Sequence, residues 1–273
     1  MIIDGRKMAH EVLARAKTRA TALDKAPHIL AIVASETPAT KSYLAIKTKR
    51  AEDAGCVLLV RQFPETVSIE ELQSTITASD ADAIIVQLPL PAGIDAQAVC
   101  DTIPLEKDAD VLSDVARQKF ARGDADACVP PVVGAIAEIF RIHTIEPKEK
   151  KAVVIGRGFL VGAPAALWLA QQGAQVTVAN RSTQDFSDIL RDADIIVSGA
   201  GAPHLITPDM LKRGVVLIDA GTSESGGEVV GDADPACAAK CSIFTPVPGG
   251  IGPLAVAKLF ENAVTLAERA IHS

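Results

Sequence analysis

The stretch that decides the fold is Lys151-Ala-Val-Val-Ile-Gly156-Arg-Gly158-Phe-Leu-Val-Gly162-Ala-Pro164. It predicts a short apolar strand, a glycine-rich loop and the first turn of a helix, where Pro164 costs no hydrogen bond. Gly156 permits a tight turn, Gly158 lets a phosphate approach the backbone, and Gly162 lets the helix lie close to the sheet. Because a helix N-terminus offers unpaired N–H groups to phosphate, the stretch predicts a dinucleotide-binding site rather than an ordinary turn.

The next predicted strand, residues 175–179, ends in Asn180, Arg181 and Ser182. An NAD site usually carries an acidic residue here, which accepts a hydrogen bond from the ribose 2′-hydroxyl. An arginine attracts a 2′-phosphate instead. Arg181, with its two neighbours and Arg157, therefore favours NADP as the cofactor. The alternative is that Arg181 is only a solvated loop residue.

The alternation of apolar runs with amphipathic stretches extends over the whole chain. Strands are predicted at residues 29–34, 56–60, 83–87, 152–155, 175–179, 194–198 and 215–219. Helices are predicted at residues 7–23, 40–54, 68–78, 132–143, 161–172 and 255–271. This pattern predicts an α/β fold with parallel sheets and right-handed crossovers. Small residues follow two later strands at Gly201 and Gly221, where a doubly wound sheet faces its cofactor. The Asp-rich stretch 104–131 predicts an inter-domain loop.

The composition excludes several classes of protein. A net charge of −7 without a basic run argues against a nucleic-acid partner. No apolar run approaches the roughly 20 residues of a membrane span, and the start lacks the apolar core of a signal peptide. The five cysteines are scattered and odd in number, which predicts reduced thiols in the cytoplasm and no metal site.

Candidate substrate residues lie in the first half. Tyr43 and Lys47 are four apart on a predicted helix and share a face. Gln87 ends a predicted strand, and Asp110 lies in the loop that follows Lys107. Taken singly, each has an ordinary structural explanation: a helix edge, a strand end and a solvated turn.

In combination these residues resemble the family of bifunctional methylenetetrahydrofolate dehydrogenase/methenyltetrahydrofolate cyclohydrolases, the FolD type. The resemblance covers nearly the whole chain in order. The matching segments are Thr40-Lys-Ser-Tyr43 with Lys47, Val86-Gln-Leu-Pro-Leu-Pro91, Lys107-Asp-Ala-Asp110, Val154-Ile-Gly-Arg157 with Val161-Gly162, and Pro246-Val-Pro-Gly-Gly-Ile-Gly-Pro253. The second and the last of these are the most specific.

The resemblance implies a role for each matching residue. Lys47 corresponds to the catalytic lysine, Gln87 to its glutamine partner, Asp110 to the acid that holds the pterin, and Tyr43 to the ring beside the folate. The substrate would also contact Pro248, Gly249 and Gly250. The glycine loop, the turn after the following strand and the small residues after two later strands predict, independently of the resemblance, that the cofactor is bound by Gly156, Arg157, Gly158, Gly162, Asn180, Arg181, Ser182, Gly201 and Gly221.

The resemblance also implies an architecture and a metabolic role. It implies two α/β domains around a cleft, a folate-binding domain (residues 1–119 plus 256–273) and a Rossmann-type, doubly wound NADP-binding domain (residues 120–255). It further implies a homodimer that acts on a reduced folate in one-carbon metabolism and purine biosynthesis.

Several positions depart from the family's pattern. Val111 stands where the family usually has Gly, and Gly158 follows Arg157 where it has Ser. Asn180-Arg181 replaces His-Ser, residues 127–132 replace a Pro-Cys-Thr-Pro-x-Gly motif, and Ala255 stands where Thr is frequent. A divergent member is therefore expected. The alternatives are a monofunctional dehydrogenase or cyclohydrolase, a shikimate-type NADP-dependent dehydrogenase, and a non-catalytic homologue that binds folate or nucleotide.

Overall fold

The computed structural model describes residues 1–34, 38–225 and 227–271, without the side chains of residues 38–43 and 225. The chain forms two compact units, each of which is discontinuous in sequence. The N-terminal unit comprises His10–Pro131 and Val256–Ser273. The central unit comprises Met1–Ala9 and Val132–Ala255.

A parallel sheet of strand order β2-β1-β3 lies at the centre of the N-terminal unit. Its strands are β1 His28–Val33, β2 Val57–Gln62 and β3 Ala83–Gln87. The unit's helical segments are α1 Gly5–Ala20, α2 Pro38–Asp53, α3 Ile69–Thr77, α4 Ala96–Cys100, α5 Asp114–Arg122 and the end of α9 Ile251–Ile271. β1 is apolar and buried after its first residue, as a central parallel strand requires.

Local capping chemistry sets where the helices of this unit begin. Ser68 accepts a hydrogen bond from the Glu71 amide, at 3.2 Å, and so caps α3. The stretch 104–131, predicted as a loop, instead contains α5. Ser113 caps its start, and Gly123 ends it in the left-handed conformation. The predicted boundary between residues 119 and 120 falls inside α5, and the compact units divide after Pro131 instead.

The central unit is built on a five-stranded parallel sheet of strand order β10-β7-β6-β4-β5. Its strands are β4 Lys151–Ile155, β5 Gln175–Ala179, β6 Ile195–Ser198, β7 Val215–Asp219 and β10 Cys241–Phe244. Its helices are α6 Pro131–Ile142, α7 Gly162–Gln171, α8 Phe186–Asp192 and the start of α9. An antiparallel pair, β8 Ser223–Ser225 and β9 Glu228–Val230, leaves the sheet after β7.

The strand order of the central unit identifies where a ligand binds. Counted along the unit, the strands β4, β5, β6, β7 and β10 lie in the order 2-1-3-4-5. This is a doubly wound order, in which the connections diverge between the first and third strands, here β4 and β6. Ligands of such sheets bind outside the carboxyl ends of the strands at that point. The predicted α/β class, with a doubly wound parallel sheet in its C-terminal half, is confirmed.

The first residues of the chain belong to the central unit. Ile3 donates its amide hydrogen to the Phe244 carbonyl, at 2.9 Å, beside the edge strand β10. Gly5 donates to the Gly249 carbonyl, also at 2.9 Å. These bonds tie the start of α1 to the loop that precedes α9. Of the described helices, none is long and apolar enough to cross a membrane.

Candidate active site

A lysine and a glutamine form the centre of the candidate site in the N-terminal unit. Lys47 lies on α2 and is only 5% exposed. Its Nζ donates a hydrogen bond to Oε1 of Gln87, the last residue of β3, at 2.9 Å. Gln87 Nε2 donates to the Leu88 carbonyl, at 2.9 Å, and this bond keeps Oε1 directed at the lysine. The structure therefore brings together two predicted residues that are 40 positions apart.

Burial changes the acid–base properties of Lys47. Desolvation of the ammonium lowers the pKa of Lys47 below its ordinary value, and the nearby negative charge of Asp110 partly offsets this effect. Burial likewise raises the pKa of Asp110; the charge on Lys47 lowers it, and Asp108 raises it further. Lys47 and Asp110 thus interact electrostatically, and burial makes the neutral amine of Lys47 easier to form than that of an exposed lysine.

The buried Asp108, which is not among the predicted site residues, shapes the loop around Asp110. Asp108 accepts hydrogen bonds from the Leu112 amide at 3.0 Å, the Ser113 amide at 2.8 Å and Ser113 Oγ at 2.7 Å. Ser113 in turn caps α5, so Asp108 connects the site loop to a helix. Asn262 supports the same loop by donating to the Ala109 carbonyl, at 2.9 Å. The detectable signal was Ser113, a cap residue shortly after the Asp-rich motif.

Val111 preserves the backbone that a glycine would adopt. Its φ is 57°, in the left-handed region, although its side chain is buried. A β-branched residue is strained there. The departure from the family's glycine therefore leaves this loop conformation in place.

Tyr43 lies on α2 one turn before Lys47, but its side chain is outside the described part of the structure. Its place beside the substrate stays a prediction. Pro248, Gly249 and Gly250 follow β10 in the central unit. A Cβ on Gly5 would lie 1.8 Å from the Gly250 carbonyl oxygen, so this loop packs directly on the start of α1. Gly5 carries no local signal in the sequence, because its partner Gly250 is distant along the chain.

The glycine loop (residues 156–161) lies between β4 and α7 and has the geometry predicted for it. Gly156 has a φ of 101°, and a Cβ there would lie 2.7 Å from the Gly199 carbonyl oxygen. A Cβ on Gly162 would lie 2.3 Å from the Gly156 carbonyl oxygen. A Cβ on Gly158 would meet nothing within 4 Å. The loop is thus tightly packed at both ends and open at Gly158, where a phosphate could approach the backbone.

The residues predicted to select the cofactor lie next to this loop. The Gly156 amide donates to the Ala179 carbonyl, at 3.0 Å, so the end of β5 adjoins the start of the glycine loop. The turn after β5 is ordered by its own side chains: Asn180 Oδ1 accepts from the Ser182 amide at 2.8 Å. Arg181 is exposed in this turn, and Arg157 is exposed in the glycine loop. Their approach to a nucleotide phosphate stays a prediction.

Gly201 and Gly221 follow β6 and β7 at the same edge of the sheet. Gly201 has a φ of 62° and open space around it. Gly221 is buried, and a Cβ there would lie 2.3 Å from the carboxyl group of Asp232. No cluster of three or more potential metal-ligating side chains occurs among the described residues.

The doubly wound sheet and its glycine loop define an α/β enzyme of the dinucleotide-binding class. The N-terminal unit of the chain contains the buried Lys47. The family model described as the tetrahydrofolate dehydrogenase/cyclohydrolase catalytic domain matches residues 3–110. The model of that family's NAD(P)-binding domain matches residues 128–271. The chain therefore belongs to the tetrahydrofolate dehydrogenase/cyclohydrolase family.

Individual relatives agree with this membership over their whole length. Bifunctional protein FolD of Lacticaseibacillus paracasei is 37% identical over 276 residues, covering 98% of this chain and 97% of the relative. Bifunctional protein FolD of Moorella thermoacetica is also 37% identical, covering 98% and 99%. The solved structure of the bifunctional FolD enzyme from Campylobacter jejuni superposes with a TM-score of 0.95 at 31% identity, covering 99% of each chain.

A second solved structure bears on the cofactor. The Trypanosoma brucei methylenetetrahydrofolate dehydrogenase-cyclohydrolase, complexed with NADP cofactor and inhibitor, has a TM-score of 0.95 at 33% identity. It covers 100% of this chain and 99% of its own. The predicted family, the bifunctional dehydrogenase/cyclohydrolase activity and the NADP cofactor are confirmed at the level of the family. The shikimate-type, monofunctional and non-catalytic alternatives are not favoured.

Proposed function

We propose that this chain oxidises 5,10-methylenetetrahydrofolate with NADP⁺ and hydrolyses the 5,10-methenyl product to 10-formyltetrahydrofolate, with Lys47, Gln87 and Asp110 at the reacting folate. One observation carries the assignment of these residues. Lys47 is buried, donates to Gln87 Oε1 at 2.9 Å, and has a pKa lowered by desolvation beside Asp110. A buried lysine with a lowered pKa is typical of a catalytic group.

In the oxidation, the protein mainly supplies orientation. Bound NADP⁺ would supply the hydride acceptor for the methylene carbon between N5 and N10. The lone pairs of these two nitrogens stabilise the resulting cation, so no base removes a proton from carbon. Asp110, as a hydrogen-bond acceptor, suits the N–H edge of the pterin and holds the folate in place. Gly158 and the first turn of α7 fit the cofactor's pyrophosphate.

In the hydrolysis, Lys47 transfers the protons. Water adds to the methenyl carbon, and neutral Lys47 Nζ accepts the proton that this water loses. The bond from this carbon to N5 then breaks as the ammonium of Lys47 returns a proton to N5, and the formyl C=O forms as the remaining hydroxyl proton leaves to solvent. Gln87 holds Lys47 in position through Oε1. The product keeps its formyl group on N10.

The test is the substitution Lys47→Met, with Lys49→Met as a matched control on the same helix. Lys49 is exposed, so its loss leaves the buried site unchanged. Absorbance of the methenyl compound is followed after subtraction of its spontaneous hydrolysis. Lys47→Met abolishes enzymatic hydrolysis and Lys49→Met preserves it. Equal hydrolysis by wild type and Lys47→Met would refute the role of Lys47.

The preference for NADP over NAD is assigned to Arg181. An arginine beside the ribose supplies a charge-assisted hydrogen bond to the 2′-phosphate. Arg181→Ala therefore raises the KM for NADP⁺ by about 10-fold or more, since such bonds contribute about 1.5–3 kcal/mol. The KM for NAD⁺ changes far less. The control is Arg213→Ala, because Arg213 is an exposed arginine just before β7, at the opposite edge of the sheet. Equal effects on the two cofactors would contradict this assignment.

The domain roles follow from the same assignments. The N-terminal unit binds the reduced folate, with Tyr43 beside its ring, and the central unit binds NADP. Pro248, Gly249 and Gly250 contact the substrate. Tyr43→Ala raises the KM for the folate and leaves the KM for NADP⁺ unchanged. A rise in the KM for NADP⁺ alone would contradict the assignment of folate binding to the N-terminal unit.

The chain is also proposed to act as a homodimer. β2 is an edge strand, and it exposes the apolar side chains Val57, Leu59 and Val60, which a partner subunit would cover. Sedimentation velocity of the wild type gives a dimer, and Leu59→Glu shifts it to monomer. A monomeric wild type would contradict the proposal.

The proposed setting is one-carbon metabolism in the cytoplasm, with 10-formyltetrahydrofolate supplied to purine biosynthesis. All five cysteines are free thiols, as is usual in a reducing compartment. Cell fractionation with an antibody to the chain tests the location. Recovery with an extracellular or membrane fraction would contradict it.

A further inference from the structure

Two buried aspartates lie at the carboxyl edge of the central unit's sheet, outside the residues assigned so far. Asp219 ends β7 and is 1% exposed; Asp232 follows β9 and is fully buried. Buried carboxylates are costly unless hydrogen bonds satisfy them. The groups that donate hydrogen bonds to Asp219 and Asp232 therefore identify the segments that these two carboxylates hold in place.

Asp232 organises the β6 loop (residues 198–202). Its Oδ2 accepts from Ser198 Oγ at 2.6 Å and from the Ala200 amide at 2.7 Å. Its Oδ1 accepts from the Ala202 amide, also at 2.7 Å. Three donors from one short loop converge on a single carboxylate 30 or more residues away in sequence. The path of this loop thus depends directly on Asp232.

The β6 loop packs against the glycine loop without spare room. A Cβ on Gly156 would lie 2.7 Å from the Gly199 carbonyl oxygen, and a Cβ on Gly199 would lie 2.4 Å from Val161 Cγ1. β4 and β6 are the two strands between which the chain connections diverge. The contact between their loops therefore forms part of the wall where a doubly wound sheet binds its ligand.

Asp219 holds the backbone of Asp232. Its carboxylate accepts from the amides of Gly221 at 2.9 Å, Asp232 at 3.2 Å and Ala233 at 2.8 Å. Its own amide donates to Thr245 Oγ1 at 2.7 Å. Burial raises the pKa of Asp219 to about 6, with a further contribution from the charge on Asp232. The two acids thus link the ends of β7 and β10 to the β6 loop.

We propose that Asp232 is a positioning residue for the dinucleotide pocket: its carboxylate fixes the β6 loop against the glycine loop and thereby sets the affinity for NADP⁺. Asp232 acts through this loop and does not itself contact the cofactor. The inference goes beyond the proposed function but uses its dehydrogenase reaction as one readout. Direct titration with NADP⁺ supplies a second readout, which does not require turnover.

The test substitution is Asp232→Asn. An asparagine has one acceptor oxygen and one amino group, so either the Ala200 or the Ala202 amide loses its acceptor. The KM and Kd for NADP⁺ rise about 10-fold or more, because the loop shifts until the released amide finds another acceptor, and binding of NADP⁺ must return the loop to its wild-type path. Hydrolysis of the methenyl compound, which uses Lys47, stays within about twofold of wild type.

Two further variants make the test specific. Asp234→Asn removes the same charge two residues away, where Asp234 caps a short 3₁₀ helix by accepting from the Ala236 amide. Asparagine caps equally well, so this variant behaves as wild type. Ser198→Ala removes only the hydroxyl donor to Asp232. It raises the KM for NADP⁺ in the same direction but less, and it serves as the deciding variant if Asp232→Asn fails to fold.

Each outcome is decisive. A rise in NADP⁺ KM and Kd with hydrolysis preserved supports the proposal. Unchanged NADP⁺ binding in folded Asp232→Asn overturns it, as does an equal fall of both activities without a change in KM, which indicates a purely structural role. If only Ser198→Ala folds, its unchanged KM and Kd overturn the proposal. A wild type that binds NADP⁺ without turnover would refute the proposed function alone, because the titration still measures the effect of Asp232→Asn.

Discussion

Gly162→Ala is the sharpest test of the cofactor site. The added methyl would lie 2.3 Å from the Gly156 carbonyl oxygen, 2.7 Å from its carbon and 3.1 Å from the Arg157 nitrogen. A non-bonded carbon and oxygen need about 3.3 Å or more, and both nearest atoms are backbone, so α7 and the glycine loop must separate by about 1 Å. Overpacking of this kind costs about 1–3 kcal/mol.

The separation displaces the groups that receive the pyrophosphate. A misplacement of about 1 Å at a reacting site can lower a rate by about 100-fold. We expect kcat/KM for NADP⁺ to fall by roughly 10- to 100-fold. The melting temperature should fall by about 2–12 °C, since about 1 kcal/mol corresponds to about 2–4 °C in a chain of this size. Hydrolysis of the methenyl compound should persist.

The assay compares NADP⁺ reduction with methenyl hydrolysis in the same preparation, together with thermal unfolding by circular dichroism. Gly252→Ala is the stability control, because a methyl there would meet nothing within 4 Å. Gly158→Ala separates packing from binding: it leaves stability unchanged but weakens NADP⁺ binding. If Gly162→Ala keeps wild-type kcat/KM for NADP⁺ and wild-type stability, the assigned close approach of α7 to the glycine loop is incorrect.

Three further outcomes are expected. The rate of methenyl hydrolysis at saturating substrate rises with pH as Lys47 loses its proton, with an apparent pKa below the ordinary lysine value of 10.5. Asp110→Asn shifts this rise to lower pH, because the charge of Asp110 raises the pKa of Lys47. An unchanged pH profile would show that Asp110 does not affect the ionisation of Lys47. In urea denaturation, Val111→Gly lowers the free energy of unfolding less than Val111→Ala does, because glycine relieves the left-handed backbone strain of about 1–2 kcal/mol. The reverse order of the two variants would show that no strain is present. Gly5→Ala lowers the melting temperature and both activities, because its methyl would lie 1.8 Å from the Gly250 carbonyl oxygen; wild-type behaviour would mean that this loop yields at little cost.

The sequence predicts the elements around the glycine loop closely because their signals are local. The run before Gly156 is apolar and β-branched, and Pro164 marks a helix start; the observed β4 and α7 match these signals within a residue or so. Helix α5 lies in a stretch predicted as a loop, because the helix is short and polar and only two of its residues are buried. Its cap Ser113 and its terminal Gly123 were nevertheless present as signals.

The residues of the candidate site also differ in whether a local sequence signal identifies them. Lys47 and Gln87 could be named from their motifs, but their hydrogen bond joins residues on separate elements, and only the folded sheet brings them together. The role of Asp232 cannot be predicted from the sequence, because it depends on hydrogen-bond donors from a loop 30 to 34 residues earlier. Gly5 was missed for the same reason, since its close contact is with Gly250.

The interleaving of the two compact units has a consequence for synthesis on the ribosome. Arg19 pairs with Glu268, 249 residues later, and Ile3 bonds to Phe244. Both units therefore lack a partner segment until nearly all of the chain has emerged, which takes about 10–50 s at typical translation rates. Helix α9 contributes its first residues to the central unit and the rest to the N-terminal unit, so neither unit is complete before α9 has been synthesised.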